Sequence, residues 1–243
     1  MSQRILDFQD VDAGYGGVAV VRNLTLFVDA GEVVALIGPN GAGKTTTLMT
    51  VSGFAEVLRG TVRVLGRPLP KLRRAHLIGR WGVHHVPEQR GIFYGLTVEE
   101  NLRLATRHGR VDLDRAASYF PVLESLMSRR AGLLSGGEQQ MLALGRALLS
   151  EPRLLMVDEM SLGLAPIICE ELLPIVRRMA DETGAGVLIV EQHADLALEQ
   201  ADRAYLLSHG DLVFDGPAST LRDDRGFLDA TYLGLGGGEE SAP

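Results

Sequence analysis

The sequence predicts an α/β protein: a sheet covered by helices, preceded by a β-rich segment and interrupted by a helical insert. Strand and helix patterns alternate from residue 153 onward, a Gly-rich turn joins an apolar strand to a helix at 38–45, and apolar positions recur at helical spacing, with no convincing strand, over about 92–150.

The elements follow in order. RILDF, LTLFV and EVVALIG are short apolar stretches separated by Gly- or Asn-containing turns over residues 4–38, and they read as strands with tight connections. After Lys44 the spacing turns helical to about Gly53, and TVRVL and GVHHV then read as strands, so the sheet is still being built near residue 86. TVEENLRLA, DLDRAASYFPVLESL and GEQQMLALGRALL are the helical patterns of the insert. Next come a strand RLLMVD, a helix from about Ala165 to Glu182, a strand GVLIVE, a helix near 194–201, and RAYLLSHGDLVFDG. Pro166 suits a first helical turn, whereas Pro174 predicts a kink. No internal repeat is present, so residues 4–234 are expected to form one domain, with a disordered tail at 235–243 where the chain becomes Gly-rich and polar.

Composition removes several classes. A chain of 243 residues that is 46% hydrophobic can bury a core, and apolar runs such as VVALI and LLMV are far shorter than the roughly 20 residues of a membrane span. The N-terminus lacks an apolar secretory region and a single Cys169 cannot form an internal disulfide, so a cytosolic location is expected. A net charge of −7 argues against nucleic acid as a partner, and the short basic runs at 71–74 and 129–130 read as solvated helix faces or ends.

GPNGAGKT, Gly38 to Thr45, fits G-x-x-x-x-G-K-[ST] between a strand and a helix, the context that a phosphate-binding loop requires. Gly38, Pro39, Asn40, Gly41, Ala42 and Gly43 would form the loop, its glycines letting consecutive backbone N–H groups turn inward as an anion nest; Lys44 would neutralise terminal phosphate oxygens, Thr45 would ligate Mg²⁺, and Thr46 would complete the nucleotide-binding set. The chain is therefore expected to bind ATP with Mg²⁺. Such a loop works with an acidic strand end, which RLLMVDE supplies: Asp158 for the metal through water, Glu159 to polarise the attacking water. Adjacent carboxylates after a strand are common on their own, as helix caps or turns.

A second Gly-Gly pair opens a helix in LSGGEQQ. Ser135 and Glu138 form the S-x-x-E of a capping box, which would start the helix unaided. Gly136 and Gly137 each cost up to roughly 1 kcal/mol against alanine in the first turn, so something else favours bare backbone there, and a hydroxyl with two glycines at a helix N-terminus makes an anion site.

GPNGAGKTT, LSGGEQQ and LLMVDE, in this order and spacing, resemble the nucleotide-binding subunits of ABC transporters. The resemblance covers about residues 4–234, and LTVEENL, AGLLSGGEQQMLALGRALLSEPRLL, SLGLAPII, VEQ and the closing YLG are similar to the ATPase subgroup of branched-chain amino acid importers. It implies the P-loop NTPase fold of ABC ATPases and head-to-tail pairing of two cassettes, alike or different, in which Ser135, Gly136, Gly137 and Glu138 of one chain hold the γ-phosphate of ATP on the other. It further implies transmembrane permease subunits as partners, a periplasmic or extracellular substrate-binding protein acting indirectly, a peripheral position on the inner face of the cell membrane, and ATP hydrolysis that drives import. Tyr15 would stack on adenine, and Ser161 to Leu164 would cross the dimer interface; without the family, Tyr15 reads as surface packing and the Ser-Leu-Gly run as a helix-leading turn.

Three positions depart from the wider family. Glu88, followed by Gln89, stands where Gln usually watches the metal and the membrane partner. Gln192 stands in the register of the switch histidine, with His193 one place later, and is expected to be the γ-phosphate sensor while His193 starts a helix. Met160 replaces the usual Pro after the catalytic Glu, which raises slowed hydrolysis as an expectation. Rival readings are an ABC-type regulatory ATPase without a transport partner, a cassette for another cargo such as urea or amides, and a small-molecule kinase, which would leave LSGGEQQ without a role.

Overall fold

The computed structural model describes residues 3–70, 75–105 and 111–232; the basic run at 71–74 and the tail at 235–243 lie outside them. β1 (Arg4–Tyr15) and β2 (Val18–Asp29) form a hairpin, β3 (Val33–Ile37) runs into α1 (Lys44–Val51), and β4 (Glu56–Val64) and β5 (Arg67–Pro68) return to the hairpin. After α2 (Ala75–Arg80) and β6 (Val83–Val86) come α3 (Val98–Arg103), α4 (Leu113–Tyr119), short 3-10 turns at Pro121–Leu126 and Ala131–Leu133, and α5 (Gly136–Leu149). The remainder alternates: β7 (Leu154–Asp158), α6 (Pro166–Thr183), β8 (Gly186–Glu191), α7 (Ala194–Gln200), β9 (Arg203–Ser208), β10 (Asp211–Pro217), α8 (Ala218–Asp223) and α9 (Arg225–Tyr232).

Six strands form the central sheet in the order β10-β9-β3-β8-β7-β6, parallel except for β10, and four form an antiparallel sheet in the order β2-β1-β4-β5. Because side chains alternate along a strand, the central strands serve two cores. Ala35, Ile37, Leu155, Val157, Val187 and Ile189 pack with α5, α6 and α7, whereas Leu36, Met156, Leu188 and Val190 pack with Leu6, Phe8, Leu24 and Leu26 of the antiparallel sheet and with Leu48 of α1. Helices alone therefore do not cover the sheet: a second sheet occupies most of one face, since β1 and β2 each offer one apolar face that must be buried.

One sequence expectation changes locally. DLDRAASYFPVLESL is not one helix, because Phe120, at φ −131° and ψ 74°, leaves the helical region before Pro121 and a 3-10 turn takes over. Pro166 opens α6 as expected, and Pro174 stands inside the same helix, on the exposed face opposite the buried stripe of Cys169, Leu172, Leu173, Val176 and Met179. Among the described residues, no helix is long and apolar enough to cross a membrane.

Candidate active site

The strands β3, β7 and β8 are parallel neighbours, so their C-terminal ends deliver three loops to one edge of the sheet: 38–43 after β3, 159–165 after β7 and 192–193 after β8. Gly38 leaves β3 at φ 149°, where a Cβ would overlap the carbonyl oxygen of Leu207 on β9, so only glycine fits. Gly41 and Gly43 also have positive φ, 79° and 102°, and Gly43 lies tight against Val21 of β2. No side chain caps α1 at Gly43, which leaves its first-turn amides to serve an anion. Asn40, Gly41 and Thr45 are exposed, Pro39 is half-buried, and Ala42, Lys44 and Thr46 are buried.

Lys44 donates from Nζ to the carbonyls of Gly38 at 2.8 Å and Pro39 at 3.1 Å, and its ammonium stands 3.6 Å from Glu159 Oε1. Burial lowers its pKa, and the neighbouring carboxylates, Glu159 first, oppose that shift. Asp158, at the end of β7, accepts from Thr45 Oγ1 at 3.3 Å, which brings together two oxygens 113 residues apart. Burial and the charges of Glu159 and Glu88 raise the Asp158 pKa to about 6, against the opposing pull of Thr45 and Lys44. The Thr45 hydroxyl and the buried Asp158 carboxylate are hard oxygen donors of the kind that Mg²⁺ takes. Glu88 itself is exposed, as is Gln89.

Glu159 sits at φ 43°, a left-handed conformation unusual for a side chain of this kind, and its N–H donates to Val190 at 2.8 Å, so β8 holds it there. Met160 is buried in the helix-side core. Ser161 is tied to β8 twice: its N–H donates to Glu191 Oε1 at 2.9 Å and its hydroxyl to Oε2 at 2.6 Å. Glu191 is fully buried, and burial raises its pKa while the two Ser161 bonds lower it. Sequence reasoning assigned Glu191 no role; the signal was a carboxylate ending an otherwise apolar strand, GVLIVE.

Gln192 is half-buried, and its carbonyl accepts from Tyr232 of α9 at 3.0 Å. His193 is exposed and stands at the N-cap of α7 without a side-chain cap bond, the helix start expected of it. Tyr15 is 47% exposed at the end of β1, beside a two-residue turn in which Gly16 and Gly17 both have positive φ. Val21, further along β2, is the residue against which Gly43 packs, so the hairpin flanks the phosphate loop and presents an aromatic ring to solvent.

Ser135 caps α5 in the full capping box: its N–H donates to Glu138 Oε2 at 2.7 Å, and Glu138 N–H donates to its hydroxyl at 3.3 Å. That backbone bond also lowers the Glu138 pKa. Glu138 is thus turned back on the cap, and the exposed Ser135 hydroxyl with the amides of Gly136 and Gly137 is the anion-facing part. Packing adds a reason for the glycines, because a Cβ on Gly136 would lie 3.2 Å from Leu164 and one on Gly137 3.1 Å from Ile168. Among the described residues, no hydrogen bond or ion pair joins residues 135–138 to 38–46.

A family model described as ABC transporter matches residues 21–161. The "High-affinity branched-chain amino acid transport ATP-binding protein BraG" of Pseudomonas aeruginosa is 42% identical over 235 residues, 95% of this chain and 100% of that protein. The "Probable branched-chain amino acid transport ATP-binding protein LivF" of Archaeoglobus fulgidus is 35% identical over 89% of this chain and 94% of its own length. The "Lipopolysaccharide export system ATP-binding protein LptB" of Escherichia coli is 33% identical over 94% of this chain and 97% of its own. A solved "ATP binding subunit of ABC transporter" superposes with a TM-score of 0.79 at 30% identity, covering 95% of this chain and 99% of that one.

Proposed function

The chain belongs to the ABC transporter family, and on that premise we propose that it is the ATPase subunit that drives import of branched-chain amino acids through separate membrane subunits. Its activity is transport-coupled hydrolysis of ATP. The observation that carries the assignment of residues is the meeting of Lys44, Asp158 and Glu159 at the ends of adjacent elements, with Thr45 bonded to Asp158 and Lys44 paired with Glu159.

The phosphate-loop amides and Lys44 hold the β- and γ-phosphates and neutralise charge that builds during transfer. Thr45, Asp158 and Glu88 would be the residues to hold Mg²⁺, which would supply further neutralisation of the phosphoryl oxygens when bound. Glu159 orients the attacking water and accepts its proton, and Gln192 reads the γ-phosphate. Tyr15 stacks on adenine. Ser135, Gly136 and Gly137 act on ATP held by a second cassette, an assignment supported by the exposure of Ser135 and by the lack of any bond, among the described residues, to this chain's own phosphate loop. Residues 4–234 act as one ATPase domain on the inner face of the membrane, working with the permease subunits.

Cargo is assigned from the relatives named for branched-chain amino acid transport. The test is uptake of labelled leucine into vesicles carrying the complex of this chain with its co-purifying membrane subunits, with the cognate substrate-binding protein outside and ATP inside. Uptake that stops with Glu159→Gln is expected. Uptake of a different solute class by the same vesicles, with none of leucine, would overturn the cargo while keeping the ATPase.

A further inference from the structure

Strands β3 and β8 pair in parallel as far as Ile37 opposite Glu191, and the next residues, Gly38 and Gln192, leave the ladder to open the phosphate loop and the loop into α7. Where a ladder ends, its last amides and carbonyls need other partners. Tyr232, the last residue of α9, meets this need on both sides with one oxygen: its hydroxyl accepts from Gly38 N–H at 3.1 Å and donates to the Gln192 carbonyl at 3.0 Å. A phenol can accept and donate at once, whereas phenylalanine of the same shape can do neither.

The helix that carries this hydroxyl is itself anchored. Leu228 is buried in the helix-side core, Phe227 meets the ring of Phe214 on β10 at 6.4 Å between centroids, and Arg225 pairs with Asp195 of α7 at 3.4 Å. α9 therefore holds Tyr232 against the edge of the sheet from which both loops start, 194 residues after Gly38 and 40 after Gln192. We propose that Tyr232 is a positioning residue for ATP hydrolysis: its hydroxyl ties the backbone of Gln192 to the first residue of the phosphate loop and so aims the Gln192 side chain. Without it, the Gly38 amide and the Gln192 carbonyl lose a shared partner and the two loops move independently.

The proposal rests on the reading of Gln192 as the γ-phosphate sensor, and the experiment separates the two. Steady-state ATPase kinetics are measured on the full chain for wild type, Tyr232→Phe, Gln192→Ala and the double variant, with thermal melts as a check of folding. Tyr232→Phe keeps the ring and is expected to fold, to lose about 5- to 20-fold in kcat, and to keep its KM for ATP within about threefold, the pattern of an interaction that matters in the transition state. In the Gln192→Ala background the same change is expected to cost less than about twofold, because residues that act through one another are not additive. Wild-type kcat in Tyr232→Phe beside an impaired Gln192→Ala overturns the coupling alone. Losses that multiply in full in the double variant overturn it as well, since Tyr232 then acts by another route. Wild-type kcat in Gln192→Ala removes the sensor reading and the coupling together.

Discussion

The Lys44 ammonium lies 3.6 Å from Glu159 Oε1, so the cation assigned to the phosphates and the carboxylate assigned to the water form an ion pair between side chains only 4% and 16% exposed. Both ends of the pair are needed elsewhere once ATP is bound. On the proposed roles, ATP would exchange the carboxylate for phosphate oxygens at Lys44 and release Glu159 toward the γ-phosphate, so that the pair would tie readiness of the water-activating group to occupancy of the loop.

Replacing that carboxylate separates binding from chemistry. Glu159→Gln is expected to lose on the order of 10²–10⁴ in turnover, the usual size of a general-base contribution. Its ATP affinity should be unchanged or tighter, because Lys44 no longer has a charged competitor. Phosphate release and equilibrium binding of a fluorescent ATP analogue read the two quantities, and undiminished turnover would remove Glu159 from its role.

Glu191 and Ser161 form a buried clamp beneath the same segment. Glu191→Ala leaves a buried N–H and hydroxyl without their acceptor and is expected to cost about 1–3 kcal/mol of stability, with a fall in kcat as residues 159–164 loosen. Glu191→Gln keeps an acceptor for the Ser161 amide and should recover most of both. Urea denaturation beside ATPase rates decides this; equal stability of the Ala variant and wild type would show that the clamp carries no load.

The glycines of the phosphate loop differ in what they tolerate. A Cβ at Gly38 overlaps a main-chain oxygen of β9, whereas at Gly41 nothing lies within 4 Å. Gly38→Ala should therefore cost about 3 kcal/mol and abolish nucleotide binding. Gly41→Ala should cost about 1 kcal/mol, from its φ of 79° alone. Melting curves with and without ATP test the contrast, which fails if the two variants melt alike.

Acid should destabilise the chain through β6. His84 and His85 are half-buried, bonded to Ser150 and Ser52 through Nδ1, and burial lowers both pKa values to about 4, with Arg146 adding to the effect at His84. A group with a depressed folded pKa contributes stability above its unfolded value, 6.5 here, and loses it as pH falls toward about 4, because the unfolded chain takes up the proton first. The slope is about 1.4 kcal/mol per pH unit for each histidine. The raised pKa of Asp158, about 6, works in the opposite sense over the same window, since there the folded state binds the proton. Denaturation midpoints from pH 7 to pH 4.5 for wild type and His85→Gln should show a shallower fall in the variant; parallel profiles would contradict the neutral, buried state of His85.

Much of the site was legible in the sequence because its chemistry is local. The run from Gly38 to Thr46 needs only a strand before it and a helix after it, and Ser135 with Glu138 needs only three residues of spacing to make its capping box. The alternation of elements likewise specified a sheet with helices. Other features were written in the sequence but had no readable partner. Glu191 looked like the end of an apolar strand and Tyr232 like part of a closing tripeptide, and neither residue names the one it touches.

By itself, then, the sequence determined most of the strands and the longer helices, the phosphate loop, the acidic strand end and the second Gly-Gly turn, all set by contacts within a few residues along the chain. The tertiary structure alone decided that a second sheet covers most of one face, that Thr45 meets Asp158, that Glu191 clamps Ser161, and that one tyrosine oxygen joins Gly38 to Gln192. The physical reason is the parallel sheet: its neighbours are joined by long crossovers, so which strand ends lie side by side is settled by packing of the whole core and not by any local stretch of residues.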